Sequence, residues 1–172
     1  VGSERIHQMI DPERSIQQAV ADYKKLGYSE KWIANRVKSI DARNELTNEW
    51  KRSGMTEGRD FALLTDLITK TWSGKTTKEY KQFKGLTKEN LRDNMSTIEL
   101  ALNTLAEAST TEISKRRNPK SLKQNMQIAK EGGNVAKAAR LQLETTIGES
   151  VVTSIKASDY IRPIIEETLE DE

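Results

Sequence analysis

Apolar residues recur along this chain at intervals of three and four, in blocks that end at glycine, proline or a capping side chain. That pattern predicts a succession of amphipathic helices. The clearest block runs from Ser96 to Arg117. Ser96 and Glu99 form a capping-box pair, Ile98, Ala101, Leu102, Leu105, Ala108 and Ile113 form an apolar face with Leu100 off it, and Asn118-Pro119 stops the helix. At about 1.5 Å per residue such a helix is roughly 33 Å long, enough to cross a small domain. It is expected to be the central packing helix.

Ahead of it, Asp11-Pro12-Glu13 reads as a helix start and Gly27 as its stop, with Ile16, Ala19, Val20, Tyr23 and Leu26 on one side. Ser29 caps a longer helix whose stripe is Trp32, Ile33, Val37, Ile40, Leu46 and Trp50. A third helix, from about Thr56 to Trp72, carries Phe61, Leu64, Ile68 and Trp72. Thr76 and Glu79 form a second capping box, and two short helices around Gly85 are expected before the central one. After Pro119, helical spacing resumes at Leu122, Met126 and Ala129 and again at Val135, Ala138, Ala139, Leu143 and Ile147. Between these sets, Gly132-Gly133 marks either a helix break or a close approach of another backbone. Val151-Val152 reads as extended loop, and a last helix is expected from Ser158 into the acidic end EETLEDE.

Composition sharpens the class to an all-α fold of six to eight helices. Of the 172 residues, 35% are hydrophobic and 31% charged, which suits thin helical layers rather than a thick sheet-centred core. The absence of cysteine removes disulfides and thiolate chemistry, and no long apolar run suggests a membrane span or signal peptide. A cytoplasmic location is expected. Net charge is only +2, but residues 75–92 hold six Lys/Arg against two Glu, and residues 115–140 hold eight against Glu131 alone. Residues 141–172 carry eight acidic side chains against two basic ones.

No catalytic signature accompanies these charges. The one histidine, His7, lies near the start of the chain with no nucleophile beside it, and there is no phosphate-cradling glycine loop or nucleophile elbow. Glu99, Asn103 and Glu107 share one helix side and read as a solvated face, with a metal-holding carboxylate cluster of Glu99, Glu107 or Glu112 as the enzyme alternative. No enzyme activity and no cofactor are expected. Candidate contacts for nucleic acid or an acidic partner are Lys75, Lys78, Lys81, Lys84, Lys88 and Arg92, in a segment with the length of a helix-turn-helix. A second set comprises Lys115, Arg116, Arg117, Lys120, Lys123, Lys130, Lys137 and Arg140. Cations at a helix C-terminus and plain solubility account for the same residues. The acidic end could cover this stripe from within the molecule.

Several ordered blocks resemble a known family: LGYSEKWIANRVKSIDARNELTNEWKRSGM, TDLITKTWSG, KGLTKENLRDNMSTIELALNTLAEASTTEI and AKEGGNVAKAARLQLETTIG. They are similar to the region that follows the BRO domain in phage antirepressor-like proteins, and to the C-terminal half of the DNA-damage-inducible protein D family. The resemblance implies that residues 1–10 end a linker from a BRO-type domain, residues 11–157 form a helical C-terminal domain, and residues 158–172 form an acidic tail. It further implies a non-enzymatic module engaging itself, a repressor or a DNA-repair protein, with direct nucleic-acid binding through 75–92 and 115–140 as the alternative, and no membrane partner.

Overall fold

The computed structural model describes residues 12–159 and 161. The expected Asp11 cap, the linker at 1–10 with His7, and most of the expected last helix and acidic end lie outside the described residues.

Six α-helices lie whole within these residues, α1 (Pro12–Leu26), α2 (Glu30–Arg52), α3 (Arg59–Ser73), α4 (Thr77–Phe83), α5 (Thr97–Arg117) and α6 (Leu122–Ile147), and residues 157–159 are again helical. A single 3-10 turn, Arg92–Asn94, precedes α5. The all-α expectation holds. Helix starts are set where the capping residues stand: Ser29, Thr76, Ser96 and Ser121 each accept a backbone N–H of the first turn, and the boxes at Thr76 and Ser96 are closed by Glu79 and Glu99. Helix ends fall at Gly74, Asn118 and Gly148, all left-handed.

Helix α5 packs against α2 and α6, and α6 packs in turn against α3, so the four long helices are linked in the order α2, α5, α6, α3. Trp32, Trp50, Trp72, Leu46, Leu64 and Ile68 fill the core between them. Fully burying each such side chain contributes about 1.5–3 kcal/mol, the main compensation for ordering so polar a chain. Val151 and Val152 are buried in the loop that follows α6, where the backbone bends rather than running extended.

Two further features depart from the sequence reading. Residues 86–91 do not form a second short helix after Gly85, so there is no helix-turn-helix. Local side-chain bonds take its place: Thr87 N donates to Glu89 Oε2 at 2.7 Å and Asp93 N to Asn90 Oδ1 at 3.1 Å. The Gly132-Gly133 pair does not break α6. A Cβ built on Gly132 would lie 1.9 Å from Thr110 Oγ1 and 2.8 Å from Thr110 Cα, and one on Gly133 would lie 2.7 Å from Thr71 Cβ. The two glycines let α6 lie directly against α5 on one side and α3 on the other.

Candidate functional site

Helix α5 is turned largely over relative to its apolar pattern, with Leu102 of the expected face buried and Ile113 half-buried. Its buried residues are Glu99, Leu100, Leu102, Asn103, Ala106, Glu107, Thr110, Thr111 and Ser114, while Ile98, Ala101, Leu105 and Ala108 face outward. Leu100, off the expected stripe, is wholly buried, and the expected solvated face of Glu99, Asn103 and Glu107 is the core side. The cause is that each buried polar group meets a partner. Thr110 Oγ1 donates to Ala106 O at 2.8 Å, Thr111 Oγ1 to Glu107 O at 3.1 Å, Ser114 Oγ to Glu49 Oε2 at 3.0 Å, and Trp72 Nε1 to Asn103 Oδ1 at 3.1 Å. Thr110, the small residue facing Gly132, also leaves room for α6.

Two buried ion pairs lie along this stripe. At its start Glu99 closes the cap through Ser96 N at 3.0 Å, accepts Lys84 Nζ at 2.9 Å, and accepts the Tyr80 hydroxyl. Lys84 Nζ also donates to Ile155 O at 2.7 Å, which ties the segment after α6 over this end of the bundle. Burial, with the Glu99 carboxylate second, pushes the Tyr80 hydroxyl far above its ordinary pKa. About two turns further on, Glu107 Oε1 accepts Arg92 Nη2 at 2.5 Å and Asn103 Nδ2 at 3.0 Å. Glu107 Oε2 faces Arg43 Nη1 at 3.8 Å, and these two buried atoms have no hydrogen bond.

The proposed basic residues therefore divide. Lys84 is wholly buried and belongs to the core, so it presents nothing to a phosphate. Arg92 is engaged by Glu107, and Arg140 donates to Trp72 O at 2.7 Å and to Glu144 Oε1 at 2.8 Å. Lys75 stands over the Phe83 ring at 4.4 Å, half-buried. Lys78 and Lys88 are exposed, and Lys81 is half-buried. In the second set Arg116 pairs with Glu112 at 3.6 Å and Arg117 with Glu131. Lys115, Lys120, Lys123, Lys130 and Lys137 are exposed. Arg92 precedes α5 and Lys115–Arg117 end it, so the helix separates these parts of the two blocks by roughly 30 Å.

Sequence reasoning did not single out Arg36 or Arg43. Arg36 Nε donates to Asp93 Oδ1 at 2.9 Å, and Asp93 also accepts the Tyr23 hydroxyl at 2.7 Å. Arg43 stands 5.2 Å from the Trp50 ring centre and lines a cleft with Lys78 and Lys81. The signal was present, as both arginines fall on the inner side of α2, but an arginine at that spacing reads as solvated without the structure.

Among the described residues there is no group of three His, Cys, Asp or Glu placed to hold a metal, and no helix long and apolar enough to cross a membrane. Residues 26–159, more than three quarters of the chain, match the family model described as the DinD C-terminal domain. The chain belongs to that family. Within the DinD C-terminal domain so defined lie α2 to α6 and the segment that Lys84 holds, while α1, whose Tyr23 joins the core, precedes it. No curated protein matches the sequence.

Proposed function

We propose that this DinD-type domain is a non-enzymatic interaction module that associates with a second copy of itself through the outward side of α5. The observation that carries the reading is the reversal of that helix. Its polar side is buried and, Glu107 Oε2 apart, hydrogen-bonded in the core, while Ile98 and Leu105, each more than a third exposed, stand with Ala101 and Ala108 in an unpartnered apolar strip. Spacings of three, four and three put these side chains on one seam, and the two alanines allow another helix to come close.

An antiparallel pair centred near Leu105 suits the charges. It sets Glu112 beside the N-terminal turn of the other α5, where a carboxylate is favourable, and it opposes the two helix dipoles. A parallel pair would bring two basic ends, Lys115 to Arg117, together. Association of this kind buries one patch on each partner under two-fold symmetry.

The test is mass in solution across a range of protein concentrations. The chain is expected to dimerise, Leu105→Glu to be monomeric with unchanged helicity, and Leu141→Glu, an exposed leucine on α6, to dimerise normally. A chain monomeric at every concentration, or disrupted equally by both variants, would refute the reading.

A second reading, contact with nucleic-acid backbones, is favoured by Lys120, Lys123, Lys130 and Lys137, which are exposed and have no ion-pair partner among the described residues. Its mark is affinity that falls steeply with salt and is lost when Lys120 and Lys123 are reversed in charge.

A further inference from the structure

A cleft of about 610 Å³ opens between α2, α3 and α4, lined by Arg43, Thr65, Asp66, Lys78, Lys81 and Leu86 among others. A smaller hollow of about 260 Å³ shares Arg43, Thr65, Thr77 and Lys81 with it and reaches inward to Arg92 and Asn103. The lining is basic on balance, with Arg43, Lys78 and Lys81 against Asp66, and Glu107 Oε2 stands behind Arg43 at 3.8 Å. Glu107 gives Oε1 to Arg92 and Asn103, leaving Arg43 Nη1 buried and without a hydrogen bond. Lys78 and Lys81 have no carboxylate partner among the described residues. Asp66, the acid in the lining, has Oδ1 occupied by the Thr77 amide at 3.2 Å.

Glu107 is the one counter-charge for both Arg43, at 3.8 Å, and Arg92, and burial lowers the Arg43 pKa below the ordinary arginine value although Glu107 opposes the shift. An anion in the cleft would add counter-charge to Lys78, Lys81 and the exposed part of Arg43, and the volume lies in the range of small-ligand sites. Three cationic side chains lining one cleft suit the three terminal oxygens of a phosphoryl group better than the two of a carboxylate. Leu86 and Ala62 offer apolar surface for the remainder of the ligand.

We propose that this cleft binds a small phosphorylated ligand of nucleotide size, with its phosphoryl oxygens taken by Arg43, Lys78 and Lys81. The inference stands apart from self-association, because it uses none of the outward residues of α5.

Calorimetric titration with pyrophosphate and with adenosine diphosphate tests it, with a single-stranded oligonucleotide run beside them. Both small anions are expected to bind and to compete with each other. Lys81→Ala and Lys78→Ala are each expected to weaken them about tenfold, the factor that roughly 1.4 kcal/mol makes, whereas Lys123→Ala leaves them unchanged. Lys78 is exposed, so that variant keeps the fold and serves if Lys81→Ala does not. Three results would overturn the proposal: no binding of either anion at millimolar concentration, equal weakening by Lys123→Ala, or binding confined to the oligonucleotide.

Discussion

Replacing Lys84 by methionine keeps the length of the side chain and removes its charge from a site closed to solvent. In the intact protein Lys84 Nζ satisfies Glu99 Oε1 at 2.9 Å and Ile155 O at 2.7 Å. The variant leaves Glu99 charged in the core with only the Tyr80 hydroxyl and the Ser96 amide as donors, and strands the Ile155 carbonyl. Breaking one side of a buried pair costs about 3–5 kcal/mol. With about 2–4 °C lost per kcal/mol in a chain of this size, the melting temperature should fall by roughly 6–20 °C. Glu99→Gln on the Lys84→Met background removes the stranded charge, keeps one acceptor oxygen for the Ser96 amide and turns an N–H donor toward the Tyr80 oxygen, and should recover about 1–3 kcal/mol. Chemical denaturation of the single and double variants measures both free energies, and thermal melting measures the temperature shift. A loss under about 0.5 kcal/mol for Lys84→Met, the size expected of an exposed lysine, would refute the buried-pair reasoning.

Other variants probe the rest of the bundle. Gly132→Ala gains about 1 kcal/mol in helix propensity but meets the Thr110 backbone, and overpacking of 1–3 kcal/mol or more should leave the protein about 1–2 kcal/mol less stable. A more stable variant by thermal melting would show that α5 and α6 are not in close contact there. At alkaline pH, burial raises the Tyr23 hydroxyl to about 12, and raises Tyr28 and Tyr80 as well. The unfolded chain loses these protons near pH 10 while the folded one retains them, so stability is whole below pH 10 and declines as pH rises through 12. Tyrosinate absorbance should therefore appear together with loss of helical ellipticity, and three phenols ionising in a still-helical protein would contradict this.

Helix boundaries were legible because capping side chains and glycines act locally: Ser29, Ser96 with Glu99, Gly74 and Gly148 needed no knowledge of the tertiary structure. The cores of α2 and α3 were legible for a similar reason, since Trp32, Trp50, Leu64, Ile68 and Trp72 have no competing place to go. The orientation of α5 was not. Hydrophobic pattern assigns a helix face by counting apolar side chains, and Glu99, Asn103 and Glu107 are buried only because Lys84, Trp72 and Arg92 arrive from 15, 31 and 15 residues away. Lys84 was misread for the same reason, its regular spacing with Lys81 and Lys88 suggesting an exposed row. Of the cleft, Lys78 and Lys81 were visible as basic residues, but Arg43 comes from a different helix.

The most direct test of the outward role of α5 uses the absence of cysteine from the chain. Ala101→Cys and Ala108→Cys proteins are mixed under mild oxidation, and the disulfide-linked species are separated. A disulfide needs Cα atoms about 4.4–6.8 Å apart, so antiparallel pairing about Leu105 should yield chiefly the mixed product, residue 101 to residue 108. No cross-linked species, or like-to-like products in place of the mixed one, would contradict the antiparallel association of α5.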